Sequence, residues 1–445
     1  MGSGTTGNPT CGCCTESALP DRRDLGQTRA MDDIPVNGPL QGIKVIDFAG
    51  HGFVPSAAAA LADWGAEVVK IERLTGDPLR AVIRDGLVAD ADGTDYIWEF
   101  FNRNKRGLAL DIETPAGREI FERLVRWADV YITNQLPRVR RKLHTEPADI
   151  LTLNPRIVYA KGHGQGQRGA DAEAGGFDSV SFWSRGGVGH MLSVPGSGHP
   201  VGPRAAMGDA PSGMFLAAGI CAALVGVART GTGVVVDTSL LASAMWTLAP
   251  DMAYASIAGE EPPRVRPDPA ARSPLVGQHQ TIDGRWLSLS MLDEDRYWAR
   301  TCRAVGVPEL VDRFPDAEAR AAHRKHIHDT LDAAIARRTR EELDATLRAE
   351  ECIFSFFASP PEVLADDAVV ANGYAPPHPS HSSLRLPAAP AQFDDALPRV
   401  RRGAPAIGQH TREVLAELDY SPAEIDRLLA DAVVAEPRDD AAVTG

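Results

Sequence analysis

Short apolar runs and longer amphipathic stretches alternate along the first half of the chain. The runs have the length and β-branched content of buried strands, and they predict strands at residues 43–48, 67–72, 130–133 and 156–160. The stretches between them predict helices at 56–64, from 114 onward and at 148–153, with Pro55 at the first turn of the first helix and Gly65 just past its end. Such alternation predicts an α/β fold with a Rossmann-like, mostly parallel sheet.

The pattern changes after residue 208. A long apolar helix is predicted at 214–229 with Asp209 as its cap, followed by a strand at 233–239 and a hairpin at 280–289. We therefore expect four parts along the chain. They are a disordered leader at 1–37, the first part of a large α/β domain at 38–230, a smaller α+β domain at 245–355, and a connector with a C-terminal return to the large domain at 371–445.

The net charge of the chain argues against some classes of binding partner. Lysine and arginine number 46 against 60 aspartate and glutamate residues, a formal net charge of −14, which argues against nucleic acid or an anionic membrane as a partner. We expect no apolar run of the ~18–20 residues that cross a bilayer and no secretory signal, so a cytoplasmic location is the default expectation. Cys11, Cys13 and Cys14 crowd the leader, but no zinc-finger spacing follows, and neither disulfides nor a metal site is expected.

Ligands of open parallel sheets bind beyond the carboxyl ends of the strands, which here are the loops 49–55, 73–80, 134–142 and 161–178. Arg73 follows the second strand directly, and Asn134 follows another, just before a basic run at 138–142. Basic side chains at strand ends are suited to holding phosphates. A solvated charge run is the ordinary alternative, and the sequence leaves both open.

Asp178 is the strongest candidate for chemistry. It follows Gly175, Gly176 and Phe177 and precedes an apolar segment where a helix can begin. A carboxylate that is partly stripped of water and close to backbone N–H groups suits a nucleophile. Capping the helix is the commoner use of such an aspartate, and the segment alone does not decide between the two.

Several stretches taken together resemble the family III CoA transferases, the group that includes formyl-CoA and carnitine CoA transferases and the α-methylacyl-CoA racemases. The stretches occur in the family's order and are residues 38–48, 65–72, 102–111, Gly208 and Asp209 with 212–214, 230–233, and 404–411.

The resemblance implies covalent catalysis by Asp178, which would accept an acyl group and then CoA before a carboxylic acid completes the exchange. It implies an acyl-CoA thioester as substrate, no permanently bound cofactor, no metal, and an interlocked homodimer. The substrate-binding positions that it implies are Gly52, Phe53, Arg73, Leu110, Asp111, Ile112, Glu113, Asn134, Lys142, Lys161, Gly162 and His163.

The chain departs from the family's pattern at several positions, one of which is the segment Asn134 to Arg138 after the fourth strand. Gly52 replaces a glutamine that holds the acyl group in formyl-CoA transferase, residues 273–278 are a weak substitute for the glycine flap, and Phe177 replaces the histidine of the racemase branch. Without that histidine the second base of a racemase is less evident. Racemase-type proton transfer remains one alternative, and a non-catalytic CoA-binding relative is the other.

Overall fold

The computed structural model describes residues 38–264 and 272–437. Ten strands form two sheets in these ranges. In chain order they are β1 Lys44–Phe48, β2 Glu67–Glu72, β3 Arg106–Leu110, β4 Val130–Thr133, β5 Val158–His163, β6 Val234–Ser239, β7 Val276–Gln280, β8 Trp286–Ser290, β9 Phe354–Phe356 and β10 Val434–Ala435.

The central sheet has seven strands in the order β10-β3-β2-β1-β4-β5-β6. Strands β1 to β6 are parallel to their neighbours, and only β10 runs antiparallel, against β3. The predicted α/β fold with a mostly parallel sheet is therefore confirmed. The strand order reverses between β1 and β4, and ligands of doubly wound sheets bind at such a reversal.

Helices cover both faces of this sheet and surround the smaller one. In chain order they are α1 Phe53–Asp63, α2 Tyr96–Asn102, α3 Pro115–Trp127, α4 Pro137–Lys142, α5 Pro147–Leu153, α6 Val188–Leu192, α7 Asp209–Thr230, α8 Leu240–Thr247, α9 Ala249–Ala258, α10 Glu294–Val305, α11 Glu309–Arg313, α12 Ala317–Ala322, α13 Arg324–Ile335, α14 Arg340–Ala349, α15 Pro360–Leu364, α16 Asp367–Ala371, α17 Thr411–Glu417 and α18 Pro422–Ala430. A 3₁₀ turn at Pro78–Ala81 and a π-helical segment at Ser179–Arg185 complete the set.

One face of the central sheet is covered by α1 and α7, which pack closely on each other. A Cβ atom on Gly213 of α7 would clash with Ser56 of α1, so the two backbones approach at a glycine. By length and composition α7 could cross a bilayer, which departs from the expectation that the chain has no such run. One helix of this kind is weak evidence for a span, and α7 buries one side against α1 as core helices do.

The opposite face is covered by α3, α5, α17 and α18, whose apolar side chains form a second cluster with Tyr131 and Tyr159 of the sheet. Separately, β7, β8 and β9 form a three-stranded antiparallel sheet whose apolar cluster includes Trp298 and Leu331. The domain limits stay a prediction. The leader with its cysteines, and part of the connector that follows α9, lie outside the described residues.

Four charged side chains are buried behind the loop that follows β1. Lys70 contacts Asp77 at 2.9 Å, Lys105 contacts Asp47 at 2.8 Å, and all four side chains are almost completely buried. Lys70 also donates to the carbonyl of Ala49. Burial lowers the pKa of Lys105 to about 8 in spite of Asp47, whereas Asp47 and Asp77 outweigh burial and raise the pKa of Lys70. The two lysines and two aspartates balance in charge, so the group is stable only as a whole.

We expect Lys105→Met to destabilise the fold by about 3 kcal/mol or more, because Lys70 alone then faces both Asp47 and Asp77, and the buried group keeps one carboxylate in excess. The measurement is thermal melting by circular dichroism. Lys142→Met is the matched control, because its ion pair with Glu113 is exposed to solvent and such pairs contribute at most about 1 kcal/mol. Equal melting temperatures for the two variants would contradict this account of the buried group.

Candidate active site

The loops after β1 and β4 meet where the strand order reverses. The side chain of Asn134 joins them: it accepts the N–H of Gly50 at 3.0 Å and donates to the carbonyl of Gly50 at 2.6 Å. A cleft of about 300 Å³ opens here and extends to the loop after β2. Arg73 and Asn134 line it, as do His51 and Gln135. The structure thus brings together two of the binding positions predicted from the sequence.

The basic run on α4 is already paired with carboxylates. Arg140 is buried against Glu146, Arg141 contacts Glu173 at 2.7 Å, and Lys142 contacts Glu113 at 2.7 Å. Glu173 also accepts the backbone N–H of Arg138, which ties the long loop after β5 to α4. A phosphate that bound Arg141 or Lys142 would have to replace these carboxylates.

The remaining predicted binding residues do not line this cleft. Leu110 to Glu113 end β3 and begin the turn to α3, on the far side of β2. Lys161, Gly162 and His163 lie at the end of β5, where Lys161 is aligned with Asp237 of β6. Burial lowers the pKa of Lys161.

His163 is suited to hydrogen bonding as a neutral ring. Burial, with Arg140 and Lys161 nearby, lowers its pKa to about 4, and its ring contacts Gln167. Gly162 is needed beside it, because a Cβ there would clash with Phe53 and Val54 of α1. The end of β5 is therefore packed directly under the start of α1.

Asp178 stands at the entrance of the π-helical segment Ser179–Arg185. It occupies the N-cap position, but its side chain caps nothing; its Oδ2 atom instead accepts the backbone N–H of Gly208, 3.3 Å away on another part of the chain. π-Helical turns are rare and are frequently found at functional sites. The carboxylate is half-buried and its interpretation as a cap is wrong.

Close backbone contacts hold the Asp178 loop against β5. A Cβ atom on Gly164 would lie 2.6 Å from the Cα of Gly176, so both positions have to be glycine. Gln165 donates to Ser181 at 2.9 Å, which joins the same two segments. Gly176 therefore lets the loop that carries Asp178 pack directly on Gly164.

Asp209 was predicted to cap α7, and this is wrong. It is the first residue of α7 and follows the N-cap Gly208, and among the described residues no side chain forms a capping hydrogen bond at this helix end. The carboxyl group lies against Gly52, where a Cβ atom would clash with it. Burial and the nearby charge of Asp178 raise the pKa of Asp209 to about 7.

Gly52, Asp178 and Asp209 thus meet at one point. Only the first two were predicted as site residues. The third stood in a quoted motif, Gly208 with Asp209, but its place at a helix start favoured a cap. The sequence gives no signal that Asp209 faces the same space as Asp178.

The rim around Asp178 is apolar. Phe177, Val180 and Met207 are exposed large hydrophobic residues. The ring of His51 meets the edge of Phe177, with 5.1 Å between their centroids, and His51 has a left-handed backbone with φ of 62°. His51, which also lines the cleft, therefore connects the loop after β1 to the loop that carries Asp178.

Two further expectations meet the structure here. Residues 273–278 were considered as a substitute for a glycine flap, but Val276–Gln280 is strand β7, paired with β8, so this stretch is not a flap. Among the described residues no group of three or more His, Cys, Asp or Glu side chains is arranged to hold a metal.

Comparison with known proteins gives a consistent match over most of the chain. The model of CoA-transferase family III matches residues 40–411. The (R)-2-hydroxy-4-methylpentanoate CoA-transferase of Clostridioides difficile is 29% identical over 89% of this chain and 99% of its own length. The cinnamoyl-CoA:phenyllactate CoA-transferase of Clostridium sporogenes is 30% identical over 88% of this chain and 96% of its own.

Among solved structures, a CAIB/BAIF family protein from Brucella suis superposes with a TM-score of 0.72 at 26% identity. The alignment covers 86% of this chain and 100% of that one.

Proposed function

This chain belongs to CoA-transferase family III, and from that premise we propose that it moves CoA from an acyl-CoA to a carboxylic acid through covalent adducts on Asp178. The observation that carries the proposal is the setting of Asp178. Its carboxylate makes no capping bond, is half-buried, and lies at the meeting point of the first loop and α7. A carboxylate of this kind can act as a covalent nucleophile.

In the proposed reaction the Asp178 carboxylate attacks the thioester carbonyl carbon. The C–S bond breaks with its electron pair on sulfur, which gives an acyl anhydride on Asp178 and the CoA thiolate. The thiolate then attacks the Asp178 carbonyl, releases the donor acid as a carboxylate and leaves an aspartyl-CoA thioester. The acceptor carboxylate attacks this thioester, the thiolate leaves and returns to the acceptor's carbonyl, and Asp178 is free again.

The CoA nucleotide is proposed to occupy the edge of the sheet. The cleft with Arg73 and Asn134 has room for part of it, and the neutral ring of His163 and the amine of Lys161 extend the polar surface along β5. Lys142, and the residues from Leu110 to Glu113, lie farther along the edge. Phosphates would take the place that Glu113 now holds beside Lys142.

The acyl group and the acceptor acid are proposed to have apolar side chains. The rim of Phe177, Val180 and Met207 offers apolar contact beside Asp178. Two relatives are named for acids of this kind, 2-hydroxy-4-methylpentanoate and phenyllactate. A panel of acids should therefore include both of these along with dicarboxylates.

We expect Asp178→Ala to abolish CoA exchange while the protein stays folded. The physical reason is that alanine has no carboxylate to form the anhydride and the thioester. The measurement is transfer of CoA from a panel of acyl-CoAs to added acids, with intact-mass analysis of the wild-type protein to detect the aspartyl-CoA adduct.

The matched control is Asp366→Ala. Asp366 is a true cap of α16, where its side chain accepts the N–H groups of Ala368 and Val369. Loss of such a cap costs about 1 kcal/mol, and this variant should transfer CoA normally. Asp178→Ala should melt no lower than the control. Full exchange by Asp178→Ala would contradict the nucleophile assignment, and an inert wild type that still binds CoA would favour the non-catalytic relative.

Proton transfer next to the thioester is the second candidate function. The observation that favours it is a second titratable carboxyl group, Asp209, close to Asp178. Two-base racemisation requires a second base, and Asp209 is a second titratable group beside Asp178.

We expect a chiral 2-methylacyl-CoA in deuterated water to keep its α-proton while its CoA moves to an added carboxylic acid. Mass spectrometry of the recovered acyl group and of the new thioester distinguishes the two reactions. Rapid α-deuteration without CoA transfer would replace our proposal by the racemase reaction.

A homodimer is proposed from the apolar surface of the single chain. Helix α9 buries none of its residues although it is largely apolar, and Trp246 and Ile257 of this region are 72% and 88% exposed. Strand β6 is the edge of the sheet and exposes Val234 and Val235. An apolar surface of this extent typically marks an interface, and a second copy of the chain, interlocked with the first, is the proposed partner.

We expect the protein to sediment as a dimer at all concentrations down to the nanomolar range. Interlocked chains separate only when they unfold. Analytical ultracentrifugation with a fluorescent label tests this directly. A reversible monomer–dimer equilibrium at micromolar concentration would count against the interlocked arrangement.

A further inference from the structure

Among the described residues, no contact that would stabilise the fold explains the position of the Asp209 side chain. Its side chain makes no hydrogen bond within the part of the chain that the structure describes, although its backbone carbonyl accepts the hydroxyl of Ser56 at 3.2 Å. A carboxyl group with little water around it and no donor is costly when ionised. The fold nevertheless keeps residue 52 as glycine to make room for it.

The position of Asp209 is tied to that of Asp178. Gly208, its neighbour in sequence, donates its N–H to the Asp178 carboxylate. The two carboxyl groups are close enough to repel when both are charged. One proton shared between two such groups is the usual outcome, since neighbouring carboxylates do not both ionise readily.

We propose that Asp209 is the acid and base of the reaction: it gives its proton to the CoA thiolate each time CoA leaves, and takes the proton back each time CoA attacks. This inference rests on the proposed function of Asp178. It adds a residue that transfers a proton to and from the sulfur atom, while Asp178 forms the bond to the carbonyl carbon.

The charge changes on Asp178 would drive this exchange. In the free enzyme burial and the charge of Asp178 raise the pKa of Asp209 to about 7, so Asp209 keeps its proton below this pH. When Asp178 becomes an anhydride or a thioester it loses its charge, so the repulsion disappears and Asp209 becomes a stronger acid at the moment the thiolate forms. A thiol has a pKa of about 8.5, so the proton moves readily from the carboxyl group to sulfur. When the thiol attacks, its proton returns to Asp209.

The surroundings of Asp209 define the expected pH dependence. Asp178 is the charged group that acts on it among the described residues; the first loop, α1 and α2 contribute Gly52, Ser56 and Phe101, which carry no charge. A pKa raised to about 7 means that Asp209 holds its proton below this pH and loses it above. The wild-type kcat/KM for the acyl-CoA should therefore fall as pH rises through about 7.

The experiment compares Asp209→Asn with the wild type over pH 5 to ~9, using an acyl-CoA that gives an adduct on Asp178 by intact mass. Asparagine keeps the shape but carries no transferable proton. General acid–base groups contribute ~10²–10⁴-fold, so we expect kcat to fall about 100-fold or more with KM within a few fold, and the falling limb near pH 7 to disappear. Asp367→Asn is the matched control, because Asp367 is also the first residue of its helix but is exposed.

Each outcome decides the matter. Transfer by Asp209→Asn at the wild-type rate overturns the proposal, and so does a slow variant that keeps the wild-type pH limb, because Asp209 would then act through structure alone. If Asp209→Asn fails to fold, the wild-type profile decides: a kcat/KM that does not fall above pH ~7 overturns it. A wild type that transfers CoA with no adduct on Asp178 overturns the proposed function instead, independently of the Asp209 variant.

Discussion

The site depends on four charges that the fold has removed from water. Asp47, Lys70, Asp77 and Lys105 lie behind the loop after β1, and their side chains reach the carbonyls of Ala49 and Pro55 at its two ends. Burying four charges is costly unless the geometry is nearly ideal. That requirement gives the first loop one conformation. Asn134 is then held against Gly50, and Gly52 against α7, so the cleft and the nucleophile region share one rigid support.

The sequence predicted the regular parts of this fold well. Strand β4 was predicted with its observed limits, because its run of apolar residues is bounded by polar ones on both sides. Strand β3 and helix α2 were not predicted as elements. The polar residues from Asn102 to Arg106, at the end of one element and the start of the other, show no apolar pattern, yet the structure buries them, with Lys105 in the charged group. A search for apolar periodicity does not detect charged residues that are buried in a core.

Only part of the site was predicted, because sequence patterns do not show which distant residues pack together. The motifs of the family pointed to Asp178, and the strand ends pointed to Arg73 and Asn134, which line one cleft. Asp209 required the fold itself, because the packing of α1 on α7 brings it to Gly52, and a separate hydrogen bond from Gly208 brings Asp178 to the start of α7. The basic run at 138–142 was recognised, but its pairing with Glu113, Glu146 and Glu173 depends on loops from distant parts of the sequence.

The two-residue strand β10 has a consequence for how the chain is made. It closes the edge of the central sheet against β3, and its residues Val434 and Ala435 come almost at the end of the sequence. An open sheet edge invites pairing with other chains. During synthesis, β3 leaves the ribosome more than 300 residues before its partner strand. The edge next to Leu110 stays open while these residues are made, and at ~5–20 residues per second this lasts on the order of 15–60 s, a period in which the strand is open to pairing with other chains.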